Sequence, residues 1–202
     1  MKNRKLNHPR KGSSIKVQPI RALDAIVRIK QNLHDQPRNL CLFTMGINTA
    51  YRANELLSLR VGQVAYLSAG DVLDIKQSKN KAYRMTALNR PSIAAVQNWL
   101  KYHPKAHDGD APLFMSQHWR GNALSVSAVN LLVKGWCRDI GLAGNFGSHS
   151  LRKTWGYHQR VKNSTSVALL MCAFGHATEA QTLDYLGILS EEIKAIYMEM
   201  EL

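Results

Sequence analysis

Residues His149 to Tyr185 read HSLRKTWGYHQRVKNSTSVALLMCAFGHATEAQTLDY, and the remainder of the chain is arranged around them. From His149 to Thr178 there is no Asp or Glu, whereas His149, His158 and His176 and the cations Arg152, Lys153, Arg160 and Lys162 all fall there. A centre for catalytic Mg²⁺ or Ca²⁺ needs carboxylate oxygens, so a metal-dependent nuclease fits poorly and neither metal nor cofactor is expected. Side-chain donors that grip a phosphate directly fit well. His149 and Arg152 are three apart and share one face of a helix. Gly147-Ser148 supplies an N-cap, which puts both residues in a first turn, where backbone N–H groups and the helix dipole favour anions. Further on, Val167, Leu170, Met171 and Phe174 form an i, i+3, i+4, i+7 apolar stripe. Gly175 ends that helix as a C′ glycine. His176 follows at the turn, and nine residues later comes Tyr185.

Upstream, the apolar positions Leu23, Ile26, Val27, Ile29 and Leu33 predict an amphipathic helix from Arg21 to about His34. A second helix, Arg38 to Thr49, is almost wholly apolar and is expected at the centre of the core. Arg52 comes just after it; taken alone, it is as well explained by an ion pair with Glu55. Val72 to Lys76 and Ala82 to Leu88 read as two strands of a hairpin around Ser78-Lys79-Asn80-Lys81. Arg90 to His103 is a helix opened by Pro91, and Ser125 to Ile140 is another, with Val129, Leu132, Val133, Trp136 and Ile140 inward. The fold class expected is mainly α with a small antiparallel β-hairpin.

The balance of 27 Lys and Arg against 14 Asp and Glu gives a net charge of +13 over 202 residues. That points to a polyanion, most simply nucleic acid. Aromatic residues are only 7% of the chain, which argues against a base-stacking single-strand platform. Cys41, Cys137 and Cys172 lie among apolar residues without metal-ligand spacing, so buried thiols in a reducing cytoplasm are expected. No apolar run approaches transmembrane length, and no membrane partner is expected. Residues 1–18 read as a basic flexible arm, either a phosphate tether or a solvated tail; residues 19–187 as one folded domain; and residues 188–202 as a C-terminal tail helix with the stripe Leu189, Ile193, Ile196, Tyr197 and Met200.

H-x-x-R, then G-H, then Tyr nine residues after that His closely resembles the tyrosine recombinases, the phage-integrase family. INTAYRANELLSLRVGQV resembles the family's first box, with Arg52 as its arginine, although Ala50 stands where the family usually has Gly. DVLDIKQSKNKAYRMTAL resembles its β-hairpin, with Lys79 as the catalytic lysine and Lys81 as the rival. The resemblance covers residues from about Pro19 onward, and it implies the catalytic-domain fold without the extra N-terminal domain of larger members. It also implies a catalytic set of Arg52, Lys79, His149, Arg152, His176 and Tyr185, the last as nucleophile, with Tyr157 and Tyr197 as competing tyrosines. Lys81, Lys153, Arg160 and Lys162 are expected on the DNA.

The implied activity is site-specific recombination of double-stranded DNA, of integrase or invertase type, through a 3′-phosphotyrosyl intermediate. A type IB topoisomerase and a non-catalytic DNA-binding protein on the same scaffold are the alternatives. The implied assembly is a monomer when free and a homotetramer on paired DNA sites, in the cytoplasm.

Overall fold

The computed structural model describes residues 16–76, 83–116, 121–187, 194 and 197–199. The first helix, α1 (Leu23–Asn32), buries Ala25, Ile26 and Ile29. Leu23 and Val27, expected on the same stripe, are instead 56% and 52% exposed. Val27 lies about 100° around the helix from Ile26, beyond the edge of the buried arc. α2 (Pro37–Gly46) starts with Pro at its first position, where the missing N–H costs nothing. Its Cys41, Leu42, Phe43 and Met45 are completely buried, so it is the central helix. At its end Gly46 lies so close to Leu151 that a Cβ there would come within 2.6 Å of Leu151 Cδ1.

Two short helices follow, α3 (Ala53–Ser58) and α4 (Val61–Val64). The hairpin is β1 (Val72–Lys76) against β2 (Tyr83–Ala87), antiparallel, with Val72 opposite Ala87 and Lys76 opposite Tyr83. Its connection, which holds Lys79 and Lys81, lies outside the described residues. α5 (Arg90–Leu100) is capped by Asn89, whose Oδ1 accepts from Ser92 N at 3.1 Å. It stops three residues short of His103 because the chain there turns: His103 bonds the Pro112 carbonyl at 3.0 Å and accepts from Lys105 N at 3.1 Å. α6 (Val126–Asp139) is capped by Ser125 and packs Trp136 edge-on to Phe43, with ring centroids 5.8 Å apart. Then come α7 (Ser148–Lys162), α8 (Val167–Phe174) and α9 (Glu179–Leu186).

The buried side chains fall into two clusters. The larger runs from Ile20 through α2, α5 and α6 to Leu151. The smaller consists of Ala50, Leu170, Phe174 and Leu186, with Trp155 and Tyr185 packed against it. Each fully buried aliphatic or aromatic side chain contributes about 1.5–3 kcal/mol.

Ahead of α1, residues 16–20 form a strap across α7. Gln18 N donates to Asn145 O, Ile20 N to Thr154 Oγ1 at 2.8 Å, and His158 Nε2 meets Ile20 O at 3.1 Å. Lys16 ends the strap in an ion pair with Asp184 of α9.

Cys41 and Cys137 are buried, and burial pushes both thiols well above their usual range, Cys137 to about 12. Cys172 departs from expectation: it is exposed, because it lies on α8 away from the Leu170–Phe174 stripe. Of the tail stripe, Leu189, Ile193, Ile196 and Met200 lie outside the described residues, and Tyr197 is 79% exposed. Among the described residues, no helix is long and apolar enough to cross a membrane.

Candidate active site

α7 begins as the sequence suggests but is capped differently. Gly147 is the N-cap and has no side chain to give. Ser150 Oγ instead accepts from Gly147 N at 3.1 Å, and Asn130 Oδ1, from α6, accepts from Ser148 N at 3.2 Å. A Cβ on Gly147 would stand 2.2 Å from that Asn130 oxygen, so glycine permits the approach. The first-turn N–H of Ser148 is therefore spent on protein rather than offered to an anion, and the positive end of the site is built from side chains.

Arg152 is 1% exposed. Its Nη1 donates to Ala50 O at 2.7 Å and its Nη2 to Phe174 O at 2.6 Å, while its guanidinium carbon lies 4.7 Å from the Phe174 ring centroid. Two carbonyls from distant segments thus fix a planar fork. Ala50, where the family resemblance led us to expect Gly, does adopt the left-handed conformation, with φ of 56°. An Ala there carries strain of about 1–2 kcal/mol, and the turn it makes presents its carbonyl to Arg152.

Arg52 is the N-cap of α3. Its backbone N donates to Glu55 Oε2 at 2.6 Å and its Nη1 to Glu55 Oε1 at 2.8 Å. The ion pair anticipated for a lone Arg52 is real, yet it does not take Arg52 out of the site. Glu55 is buried, and its Oε2 also lies 3.7 Å from Arg152 Nη1. One carboxylate serves two guanidiniums and leaves a net positive charge, which suits a phosphodiester. Glu55 stands at the third helical position, from which a Glu side chain reaches back to the N-cap N–H, although nothing in the sequence links it to Arg152.

His149 is open to solvent on α7. Partial desolvation of its ring, and then repulsion from Arg152, Arg52 and Lys153, hold its pKa below the ordinary value. His176 is aimed by the end of α8: Gly175 is left-handed with φ of 61°, and His176 N donates back to Met171 O at 3.0 Å. The His176 ring stacks on Phe174 at 5.0 Å, and its Nδ1 meets Thr182 Oγ1 at 3.0 Å. Thr182, fully buried on α9, is another residue whose part in the site was not foreseen.

Tyr185 lies on the last turn of α9, edge-on to Phe174 and His176 at 5.3 Å each, with Arg152 5.7 Å and Lys153 Nζ 5.0 Å from its ring centroid. Its Oη is buried. Burial pushes the phenol up to about 12, against the pull of Arg152 and Arg52.

The structure therefore brings together Arg52, His149, Arg152, His176 and Tyr185. Tyr157 stands apart, with Arg21 5.6 Å from its ring, and Tyr197 is exposed. The residues expected on DNA divide. Lys162 is exposed, and Arg160 Nη1 donates to Gly187 O at 3.2 Å, at the end of α9. Lys153 is 9% exposed, with its Nζ 5.0 Å from the Tyr185 ring centroid.

A mainly helical frame that carries a tyrosine to a pair of arginines, with positive charge left for a phosphodiester, defines the catalytic domain of the tyrosine recombinases, enzymes that break and rejoin DNA. Residues 21–192 match the phage integrase family, and the chain belongs to it. It is 32% identical to the probable integrase/recombinase YoeC of Bacillus subtilis (strain 168), over 90% of this chain and 95% of that protein. It is 26% identical to tyrosine recombinase XerC of Haemophilus ducreyi, over 81% of this chain but 53% of XerC, so it spans about half the length of that relative. In fold it is similar to XerA recombinase, with a TM-score of 0.72 over 95% of this chain and 66% of that one, at 17% identity. It is likewise similar to the XerH site-specific recombinase bound to its difH substrate, with a TM-score of 0.71 over 95% of this chain and 56% of that one, at 23% identity.

Proposed function

We propose that this chain is a site-specific DNA recombinase whose Tyr185 attacks the scissile phosphate. The attack expels a 5′-hydroxyl and forms a 3′-phosphotyrosyl ester, which another strand's 5′-hydroxyl later reverses. The observation that carries the proposal is the placing of Tyr185 within 5.7 Å of the Arg152 guanidinium, itself joined to Arg52 through Glu55. Arg52 and Arg152 hold the non-bridging oxygens as charge builds on phosphorus, each contributing about 3 kcal/mol by analogy with one oxyanion donor. His149, kept neutral by its surroundings, takes the phenol proton. His176 bonds a non-bridging oxygen. Its Nδ1 lies 3.0 Å from Thr182 Oγ1, which orients the ring. Lys79, or its rival Lys81, protonates the leaving 5′-oxygen. Protein side chains supply every step, with neither metal nor cofactor.

Relatives named recombinases and integrases favour strand exchange over relaxation by a topoisomerase or simple binding. We further propose double-stranded DNA as the partner, a monomer that becomes a homotetramer on paired sites, the arm (1–18), catalytic domain (19–187) and tail (188–202) as functional divisions, and the cytoplasm as the place of action. Lys162 and Arg160 are assigned to the DNA backbone.

The test is Tyr185→Phe on a pool of nicked duplexes of random sequence. Covalent adduct on a denaturing gel should vanish while the binding isotherm stays unchanged. An adduct that survives would move the nucleophile to Tyr157 or Tyr197.

A further inference from the structure

Lys153 follows Arg152 on α7, yet its surroundings are those of the tyrosine, not of solvent. Only 9% of its surface is exposed, and its Nζ lies 5.0 Å from the Tyr185 ring centroid. A cation near an aromatic ring is drawn to the ring's negative face, more strongly where water is excluded. Asp184, beside Tyr185 on α9, pairs with Lys16 across a groove of about 560 Å³ between the strap and α9, and Lys153 lines the same groove. Burial and the Lys16 charge lower the Lys153 pKa, while the Asp184 carboxylate opposes them, so the three charges sense one another. The Lys16 and Asp184 side chains are 62% and 71% exposed, and such a pair holds weakly. Lys153 is the least exposed of the three.

We propose that Lys153 is a positioning residue for the nucleophile. Its ammonium holds the Tyr185 ring against Phe174 and beside the Arg52–Arg152 pair, and it serves the tyrosine and not the DNA. Neighbouring cations on α7 thus have separate tasks: Arg152 receives the phosphate, and Lys153 keeps the attacking group in place before the phosphate arrives. The inference rests on Tyr185 being the nucleophile.

The experiment compares single-turnover adduct formation at saturating protein, on nicked duplexes of random sequence, with binding isotherms in a salt series. Lys153→Met keeps a stem of similar size without the charge. It should slow adduct formation roughly five- to thirty-fold, the order expected for a desolvated cation–ring contact, with affinity and its salt slope unchanged. Lys153→Arg should restore most of the rate. If the methionine chain does not fold, Lys153→Gln serves the same comparison. A variant with an unaltered rate would overturn the proposal. So would one whose whole loss lies in affinity, with a slope shallower by about 0.9, since that makes Lys153 a phosphate contact. An adduct surviving in Tyr185→Phe would remove the nucleophile and this inference together. A dead Tyr185→Phe beside a fully active Lys153→Met would remove this inference alone.

Discussion

Glu55 holds the two arginines to each other. It is buried, and it accepts from both the backbone and the side chain of Arg52 while lying 3.7 Å from Arg152. Removing one partner of a buried charged group costs far more than an exposed pair is worth. Glu55→Gln keeps the shape and should lower unfolding free energy by about 2–4 kcal/mol, read from denaturant midpoints. A loss below about 1 kcal/mol would mean that the Ala50 and Phe174 carbonyls hold Arg152 unaided. His149 gives a prediction in pH. A general base works only when neutral, and its pKa is held below the usual value of about 6.5 by partial desolvation and three cations. Lowering the pKa moves the protonated, inactive range to more acidic pH. Adduct formation at subsaturating protein should therefore be level above about pH 6.5 and fall only as the pH drops through the depressed pKa. His149→Gln should erase that limb; the same limb in the variant would give the role to another group. Residues linked along one helix, such as His149 and Arg152, were legible as a pair from spacing. The bridge from Glu55 to Arg152 was not, because the tie crosses between helices. Nor was the inward turn of Lys153: one position past Arg152 is a rotation of about 100°, and only the place of α9 decides what it meets.

At the level of elements, α7, α8 and α9 meet where Gly156 leaves room. A Cβ on Gly156 would lie 2.4 Å from Phe174 Cζ and 2.6 Å from Leu186 Cδ2. Alanine is the better helix former by about 1 kcal/mol, but forcing a methyl into this contact costs about 1–3 kcal/mol. Crowding wins, because both neighbours are buried. Gly156→Ala should lower the melting temperature and, by moving Phe174 and Leu186, slow adduct formation more than it weakens DNA binding. A variant as stable and as fast as the parent would show that α8 and α9 shift freely. Apolar patterning disclosed α1, α2, α5, α6, α8 and the hairpin, and Gly175 disclosed the end of α8, whereas α3, α4 and α9 were not foreseen. It did not disclose that α5 stops at Leu100, since the His103 contacts that turn the chain reach across to Pro112.

Over the whole molecule, the excess of 13 positive charges is the property most plainly written in the composition. Each phosphate neutralised contributes a slope of about −0.9 in log affinity against log salt. Deleting residues 1–15 removes Lys2, Arg4, Lys5, Arg10 and Lys11 and leaves Lys16 with Asp184. If the arm tethers DNA, the slope becomes shallower by up to about 4.5; an unchanged slope returns the arm to a solvated tail. One further consequence lies in the split of the apolar interior. Tyr185 belongs to the small cluster of Ala50, Leu170, Phe174 and Leu186, outside the main one. With four fully buried side chains among the described residues, this unit is expected to open at a fraction of the global free energy. In hydrogen exchange, the amides of α8 and α9 should lose protection before those of α2 and α6; equal protection would make the two clusters one cooperative unit. The proposed nucleophile would thus be mounted on a part of the molecule that opens without unfolding the rest.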